Sequence, residues 1–178
     1  MTKVITGKIR MNYTNLFSPK SIETDENPKY SLSILIPKED ITTIEKIKDS
    51  ISIAKKKGEA IWGDVVPIDL KLPLRDGDIE RADSKDYEDH YFINATSKYK
   101  PGIVDKRLNE IKDEKEIYPG CYGRVSINFY PFSKNGQSGI GCGINNVQKI
   151  GDGEIISIGS RPEDDFTIIE DDFEELII

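Results

Sequence analysis

The strongest constraint on the fold of this 178-residue sequence is a set of short segments in which apolar and polar side chains alternate. Residues 4–13 place Ile5, Ile9 and Met11 on one side of an extended chain and mostly polar side chains on the other. A period of two residues is typical of a strand with one buried face. A second predicted strand, residues 29–37, follows a turn rich in Ser, Pro, Asp and Asn and ends in a proline.

Two later segments alternate in the same way. In residues 90–98 the core face carries Tyr91, Ile93 and Ala95, and the opposite face carries Phe92, Asn94, Thr96 and Lys98. In residues 121–130 the core face carries Cys121, Val125, Ile127 and Phe129, and the opposite face carries Tyr122, Arg124, Asn128 and Tyr130. The turn KNGQSG then leads into GIGCGINNVQKI, residues 139–150, which is the predicted hairpin partner.

One segment has the period of a helix instead. In residues 39–63, apolar side chains recur at spacings of three or four, with acids early and lysines late. These apolar residues are Ile44, Ile47, Ile51 and Ala54. The pattern predicts one main helix, closed by Gly58.

These elements predict a mainly β protein. Five or six strands, one main α-helix and glycine-rich turns favour a small closed barrel similar to the oligonucleotide-binding (OB) fold. The length suits one domain with a substantial core. We expect the OB-fold-like domain to span residues 1–162 and a disordered acidic C-terminal tail to span residues 163–178.

Residues 67–90 are rich in Pro, Asp and Gly and predict an exposed loop between strands. Seven of the fourteen residues in DGDIERADSKDYED, residues 76–89, are acidic. This run lacks the DxDxDG spacing with a glutamate at the twelfth position that calcium loops use, which favours a solvated turn. The clustered carboxylates leave open a nuclease that uses them to hold magnesium.

The tail concentrates the negative charge of the chain. The formal net charge is −7, but residues 163–178 hold eight acids and no base, so residues 1–162 carry 24 acids and 25 bases. We expect the tail to lie in a basic groove of the domain until DNA displaces it. Its apolar side chains would then bind a partner enzyme, and we assign this role to Phe173, Leu176, Ile177 and Ile178, with Phe166 also available. A tail that only aids solubility is the alternative.

The sequence lacks the motifs that several classes of enzyme and metal site require. The sequence has no GxSxG, phosphate-binding GxxxxGK[ST] or HExxH motif, and its single histidine, His90, stands beside Asp89 as expected of a strand edge or turn. We therefore expect no catalytic residue, metal or cofactor. Cys121 and Cys142 lack metal-ligand spacing and are expected to be buried thiols. Without an apolar run of signal or membrane-spanning length, we expect a cytoplasmic protein with no membrane partner.

Aromatic side chains stand next to basic ones on the faces and loops that the core does not use. Single-stranded nucleic acid requires such a mixture, because unpaired bases stack on rings and cations follow the phosphates. The candidate DNA-binding residues are Lys8, Arg10, Phe92, Lys98, Tyr99, Lys100, Tyr122, Arg124 and Tyr130. A domain with a net charge of only +1 argues against a double-helix binder with a large basic patch.

Three blocks of the sequence resemble a family of phage and prophage proteins described as single-stranded DNA-binding. They are LRDGDIERADSKDYEDHYFINATSKYKPGIVD, YPGCYGRVSINFYPF and GIGCGINNVQKIGDGE, and the resemblance covers residues 3–162 in order. It implies an OB-like fold, binding of single-stranded DNA in replication or recombination, and recruitment of replication or recombination enzymes by an acidic tail. Similar phage proteins often form homodimers, which makes a homodimer one expectation here. If the protein is encoded by a phage, the host cytoplasm is its expected location.

Three points stay open. Other single-strand binding proteins often end in Phe, whereas this sequence ends in Leu-Ile-Ile, so the tip of the tail would address a different pocket or one that accepts any apolar end. An adaptor or DNA mimic, which uses its acidic segments to imitate phosphates and does not bind DNA, remains the alternative function. The sequence does not separate DNA from RNA.

Overall fold

A computed structural model describes residues 2–21, 27–156 and 162–170 of the chain. Its strands are β1 (Lys3–Ile5), β2 (Ile9–Lys20), β3 (Lys29–Pro37), β4 (Arg75–Asp76), β5 (His90–Ser97), β6 (Gly102–Val104), β7 (Tyr122–Lys134) and β8 (Gln137–Gly151). Its α-helices are α1 (Ile41–Trp62), α2 (Gly77–Glu80) and α3 (Pro162–Asp165), and short 3-10 helices span Lys85–Tyr87 and Glu114–Glu116. Among these residues, no helix is long and apolar enough to cross a membrane.

Five of the strands close into a barrel. Their order is β7, β2, β3, β5 and β8, and β8 pairs again with β7 to complete the ring. The contact between β5 and β8 is parallel, while the other contacts in the ring are antiparallel. A five-stranded, partly open barrel of this kind defines the OB fold, so the predicted fold class is confirmed.

The three short strands extend the barrel wall. β4 pairs with β5, β6 with β8, and β1 with β7. Because β1 and the start of β2 both pair with β7, they form one strand interrupted at residues 6–8. The interruption shifts the alternation, so Val4 is buried and Ile5 is 51% exposed. The predicted core position of Ile5 is therefore wrong.

The core fills the barrel, and elsewhere it follows the predicted alternation. Its central residues include Ile9, Met11, Ile34, Ile93, Ala95, Val125, Ile127 and Phe129. Cys121 and Cys142 are buried free thiols, as predicted, and burial raises the pKa of both. Helix α1 packs against β1, β7 and β8 and adds Ile44, Ile47, Ile51 and Ala54 to the same core.

Helix α1 begins and ends with ordinary capping chemistry. The side chain of Asp40 accepts a hydrogen bond from the backbone N–H of Thr43, and Gly63 ends the helix in the left-handed conformation, at φ 81°. Gly58, the predicted end, lies inside the helix. A Cβ atom there would approach the ring of Trp62 to 2.5 Å, so the glycine makes room for the indole.

The region predicted as an exposed loop is partly ordered. We call residues 75–89 the cover segment, because they fold over the outer face of the barrel. Tyr87 of this segment is buried with Leu35, Phe92 and Ile156 in a second, smaller apolar cluster outside the barrel. The rings of Tyr87 and Phe92 meet edge to face, with centroids 5.3 Å apart.

The predicted hairpin is confirmed, with Asn135 and Gly136 at its tip in left-handed conformations, at φ 52° and 76°. In the acidic tail, Phe166 and Ile168 are exposed. Residues 171–178 lie outside the described residues, and so do the partner-binding residues predicted there, Phe173, Leu176, Ile177 and Ile178.

Candidate nucleic-acid interface

Proteins with the OB fold bind oligonucleotides on the outer face of their second and third barrel strands. Here these strands are β3 and β5, and β2 continues the same face. Residues paired directly across antiparallel strands point to the same side of a sheet. Two such rows of polar residues cross the three strands, and we call them the open face: Asn12, Ser33 and Asn94 in one row, and Asn15, Ser31 and Thr96 in the next. Asn12 and Ser33 are each only 5% exposed, so the first row meets solvent mainly at Asn94.

The polar groups of the open face are held in place by hydrogen bonds. The Ser33 hydroxyl donates to Oδ1 of Asn94 over 2.5 Å, and Nδ2 of Asn15 donates to the Ser31 hydroxyl over 3.1 Å. Asn94 is exposed. Amide and hydroxyl groups both donate and accept hydrogen bonds, so this surface suits a ligand with polar edges.

Rings and cations stand at the end of the open face where β5 finishes. Tyr99 is 82% exposed, and its backbone is tied to the hydroxyl of Ser97. Lys98 on one side of Tyr99 is exposed, and on the other side Nζ of Lys100 lies 5.0 Å from the ring centroid of Phe17. Three of the predicted DNA-binding residues, Lys98, Tyr99 and Lys100, thus lie together at this end.

Tyr13 joins this surface, and the sequence pattern did not reveal it. It lies where the pairing of β2 with β3 shifts register, in a left-handed conformation at φ 46°, and is 50% exposed. Positive φ is uncommon for a residue with a large side chain. An irregularity of this kind breaks the two-residue period, so alternation could not predict the orientation of Tyr13.

The next row of the same face has an apolar, covered centre. It crosses five strands through residues that pair side by side. In order, they are Tyr122 (β7), Arg10 (β2), Leu35 (β3), Phe92 (β5) and Arg75 (β4). Leu35 is fully buried and Phe92 is 1% exposed under Tyr87 and Ile156. The predicted exposed stacking surface on Phe92 is therefore wrong, although Phe92 does point away from the barrel core.

Arg10 anchors the cover segment. Its Nη1 atom lies 2.8 Å from Oδ1 of Asp86, and both side chains are only 12% exposed. Its Nε atom donates to the carbonyl of Gly120 over 3.2 Å, and Nη2 donates to the carbonyl of Glu154. Each nitrogen of the guanidinium is thus already bonded within the protein, which makes Arg10 a structural clamp on three segments.

Lys8 and Tyr122 lie at the far end of this covered row. Nζ of Lys8 is 4.7 Å from the ring centroid of Tyr122, within the range of a cation–π contact. They line a cleft of about 790 Å³ together with Arg10, Lys38 and His90. Nδ1 of His90 lies 2.6 Å from the Glu88 carbonyl, which fits the turn histidine predicted from the sequence.

The remaining two predicted DNA-binding residues lie on β7. Arg124 is exposed, and its Nε atom donates to the Thr6 carbonyl over 3.0 Å. Tyr130 is 41% exposed and lies opposite Gly141, where a Cβ atom would come within 2.6 Å of the ring. The glycine thus lets the Tyr130 ring lie against the neighbouring strand.

Ion pairs neutralise much of the predicted acidic turn. Nζ of Lys38 lies 2.8 Å from Asp76 and 2.6 Å from Asp78, and Arg75 lies 2.6 Å from Glu80. Hydrogen bonds to the two aspartates raise the pKa of Lys38, and the bond from Lys38 lowers the pKa of Asp78. The acidic turn lies at the surface, as predicted, but these three acids are paired with cations of the protein. Within the described ranges, no group of three His, Cys, Asp or Glu residues is placed to hold a metal ion.

A closed five-stranded barrel with a polar outer face flanked by rings and lysines defines a protein of the oligonucleotide-binding fold class. Comparison with known protein families identifies the family within this fold class. Residues 2–177 match the family model described as Enterobacter phage Enc34, ssDNA-binding protein. The chain belongs to this family.

Individual relatives agree with this membership. A solved structure, the single-stranded DNA-binding protein from bacteriophage Enc34 in complex with ssDNA, is 26% identical, with 88% of this chain and 90% of that chain covered and a TM-score of 0.77. Protein p50 of Acyrthosiphon pisum secondary endosymbiont phage 1 is 28% identical over 98% of both chains. The gp2.5 single-stranded DNA binding protein encoded by bacteriophage T7 is 13% identical with a TM-score of 0.66, covers 95% of this chain and 96% of its own, and supports the fold alone.

Proposed function

We propose that this protein binds single-stranded DNA on the open face during phage replication or recombination. The observation that carries the proposal is the position of that face. Its two polar rows cross β2, β3 and β5, where OB folds bind oligonucleotides, and exposed Tyr13, Tyr99 and Lys98 flank them. Membership of a family named for single-stranded DNA binding supports the same function.

Binding would combine two contributions with different physical origins. Bases stacked on Tyr13 and Tyr99 would contribute about 1–3 kcal/mol each, without regard to base identity, because every base has a flat face. Lys98 and Lys100 would neutralise phosphates and release counterions, so affinity would fall as salt rises. The amides and hydroxyls between them would accommodate the polar edges of any base. We therefore expect little sequence preference.

The tail adds a second proposed role. Its eight acids and its apolar side chains suit recruitment of replication or recombination enzymes, and the exposure of Phe166 and Ile168 supports an apolar ligand for such a partner. In this proposal the DNA-binding domain ends at residue 162. DNA binding and enzyme recruitment both take place in the host cytoplasm. Truncation after Arg161 tests this recruitment role and also the prediction that the tail lies in the DNA-binding groove. We expect the truncated protein to bind DNA more tightly and to lose enzyme capture from host lysate.

Titration with labelled DNA tests the main proposal. Fluorescence anisotropy of labelled oligo-dT, at low and at moderate salt, should show binding that weakens steeply with salt and exceeds binding to a duplex of equal length. The double variant Lys98→Ala/Tyr99→Ala should bind at least tenfold more weakly, whereas Lys46→Ala, an exposed lysine of α1 that lines a cleft with β1, should match wild type. Equal or tighter binding to the duplex by the wild-type protein would contradict the proposal.

The other functions predicted from the acidic segment lose their main support. Asp76, Asp78 and Glu80 are engaged in ion pairs with Lys38 and Arg75, so they are poorly placed to imitate phosphates or to hold magnesium. Incubating labelled single-stranded DNA with pure protein and Mg²⁺ gives a direct check. We expect intact DNA, and cleavage that persists through purification would indicate a nuclease.

A further inference from the structure

Arg81, in the middle of the cover segment, lies directly over the covered row of the outer face. Its guanidinium carbon is 5.0 Å from the ring centroid of Phe92 and 5.9 Å from that of Tyr87. Both distances are within the range of a cation–π contact. Arg81 thus lies over the ring that was predicted to receive a base, and it is itself partly exposed.

The charges around Arg81 leave its cation available. Arg75 is also close to Phe92, at 5.2 Å, but its guanidinium is bonded twice to Glu80. Arg81, in contrast, makes no ion pair within the part of the chain that the structure describes, and its Nη1 atom donates to the carbonyl of Glu80. Exposed Asp83 lies close by in sequence and lowers the local positive potential, so this is a single contact point and not a basic patch.

The position of Arg81 continues the path of the open face. Asn94 and Phe92 point to the same side of β5 and stand two residues apart, which is roughly 7 Å along a strand. A single strand that crosses the open face and passes Asn94 in this direction meets Arg81 next. Guanidinium planes replace aromatic rings as stacking surfaces for unpaired bases in many single-strand complexes.

We propose that Arg81 forms an additional nucleotide subsite, in which an unpaired base stacks on the guanidinium plane that Phe92 and Tyr87 hold from below. This inference rests on the proposed function, because it extends the DNA path beyond the open face. It assigns a ligand-binding role to a segment that the sequence presents as an acidic turn. The subsite accepts any base, because stacking does not read base edges.

The test compares three variants on oligo-dT of increasing length. R81A should weaken binding of long oligo-dT by about fivefold to a hundredfold, the range for loss of one stacked base. R81K keeps the charge but lacks the plane, so it should recover less than half of this loss on a logarithmic scale. K85A removes an exposed cation from the same segment and should bind like wild type.

Oligonucleotide length separates a subsite from a general loss of structure. The R81A effect should vanish for oligo-dT too short to extend beyond the open face, whereas a damaged fold would weaken binding at every length. Should R81A not fold, R81Q, which keeps most of the stem, replaces it in the same comparison.

The outcomes also separate this inference from the proposed function. Wild-type protein that fails to bind oligo-dT overturns both. Wild-type binding with R81A equal to K85A at all lengths overturns the subsite alone, and so does full recovery by R81K, which would indicate a phosphate contact without stacking.

Discussion

The outer face of β3 and β5 has two halves that the same strands build in different ways. Asn94 lies on an open polar half, with the hydroxyl of nearly buried Ser33 bonded to it, while Leu35 and Phe92, two residues along each strand, lie under the cover segment. All four side chains point away from the barrel core. Alternation therefore decides the side of the sheet on which a residue lies, and packing of the cover segment decides whether that side meets solvent.

A hydrogen bond marks the boundary between the halves. Nδ2 of Asn12, in the first row of the open face, donates to the hydroxyl of Tyr87 over 2.8 Å. Tyr87 in turn covers Phe92, and its burial raises the pKa of its phenol. The open face and the cover segment thus share a buried polar contact, so the structure of one half depends on the other.

The largest effect should come from removing the apolar centre of the covered half. Phe92→Ala leaves a cavity between Leu35 and Tyr87 and should lower the free energy of unfolding by about 3–5 kcal/mol. Asn94→Ala, on the open half of the same strand, should cost less than about 1 kcal/mol. Urea denaturation of both variants measures the difference, and equal losses would remove the distinction between the halves.

A smaller loss of stability should follow from releasing the cover segment at its clamp. Arg10→Ala removes the guanidinium that is bonded to the nearly buried carboxylate of Asp86 and should cost about 2–3 kcal/mol. The double variant Arg10→Ala/Asp86→Ala should cost less than the sum of the two single variants, because each single change already removes the bond that the two side chains share. Thermal unfolding of the four proteins tests this, and strict additivity would contradict a coupled pair.

Substitutions of aromatic residues on the open half should change the affinity for DNA more than the stability of the fold. Tyr13→Ala and Tyr99→Ala should each weaken binding of oligo-dT by about 1–2 kcal/mol, with the free energy of unfolding changed by less than about 0.5 kcal/mol for the exposed Tyr99. Anisotropy titrations and urea denaturation measure the two quantities on the same samples. A Tyr99 variant with lower stability and unchanged affinity would reverse the assignment of roles.

The smallest effect should be the pH dependence of the ion pairs that hold the cover segment. Because the folded pKa of Asp78 is depressed, its contribution is fully present above the unfolded value, near 3.9, and is lost as pH falls through the folded pKa. The melting temperature should therefore fall less between pH 5 and pH 2.5 for Asp78→Asn than for wild type, and calorimetry can resolve this. Identical pH profiles would show that the bond from Lys38 to Asp78 contributes nothing to stability.

Much of the fold could be predicted because its signals are local. The alternation in β5 and β7, the helical period of α1 and the Asn135-Gly136 turn each arise from neighbouring residues. The errors arise where pairing is irregular or distant. A break at residues 6–8 turns Ile5 outward, and packing by Tyr87 and Ile156 buries Phe92. Alternation reveals neither contact, because Tyr87 folds back onto Phe92 from the preceding segment and Ile156 comes from the far end of the domain.

The candidate site was predictable to a smaller degree. Lys98, Tyr99 and Lys100 are adjacent in the chain and lie together at the end of the open face, although contact with DNA stays a prediction. Tyr13 was missed because a register shift sets its orientation. Arg81 was missed because acids surround it in sequence, and only the fold shows which of those acids pair with Lys38 and Arg75.

Closure of the barrel has a consequence for a protein whose copies would stand side by side along one strand of DNA. Unpaired strand edges invite neighbouring molecules to join their sheets, which leads to aggregation at high local concentration. Each of the five barrel strands pairs with two neighbours in the ring, and the added strands β1, β4 and β6 span only two or three residues in the described part of the chain. The later parts of β2 and β7 extend past their mutual pairing and keep one open edge each. Closure thus reduces, without removing, the backbone groups through which crowded copies could join their sheets.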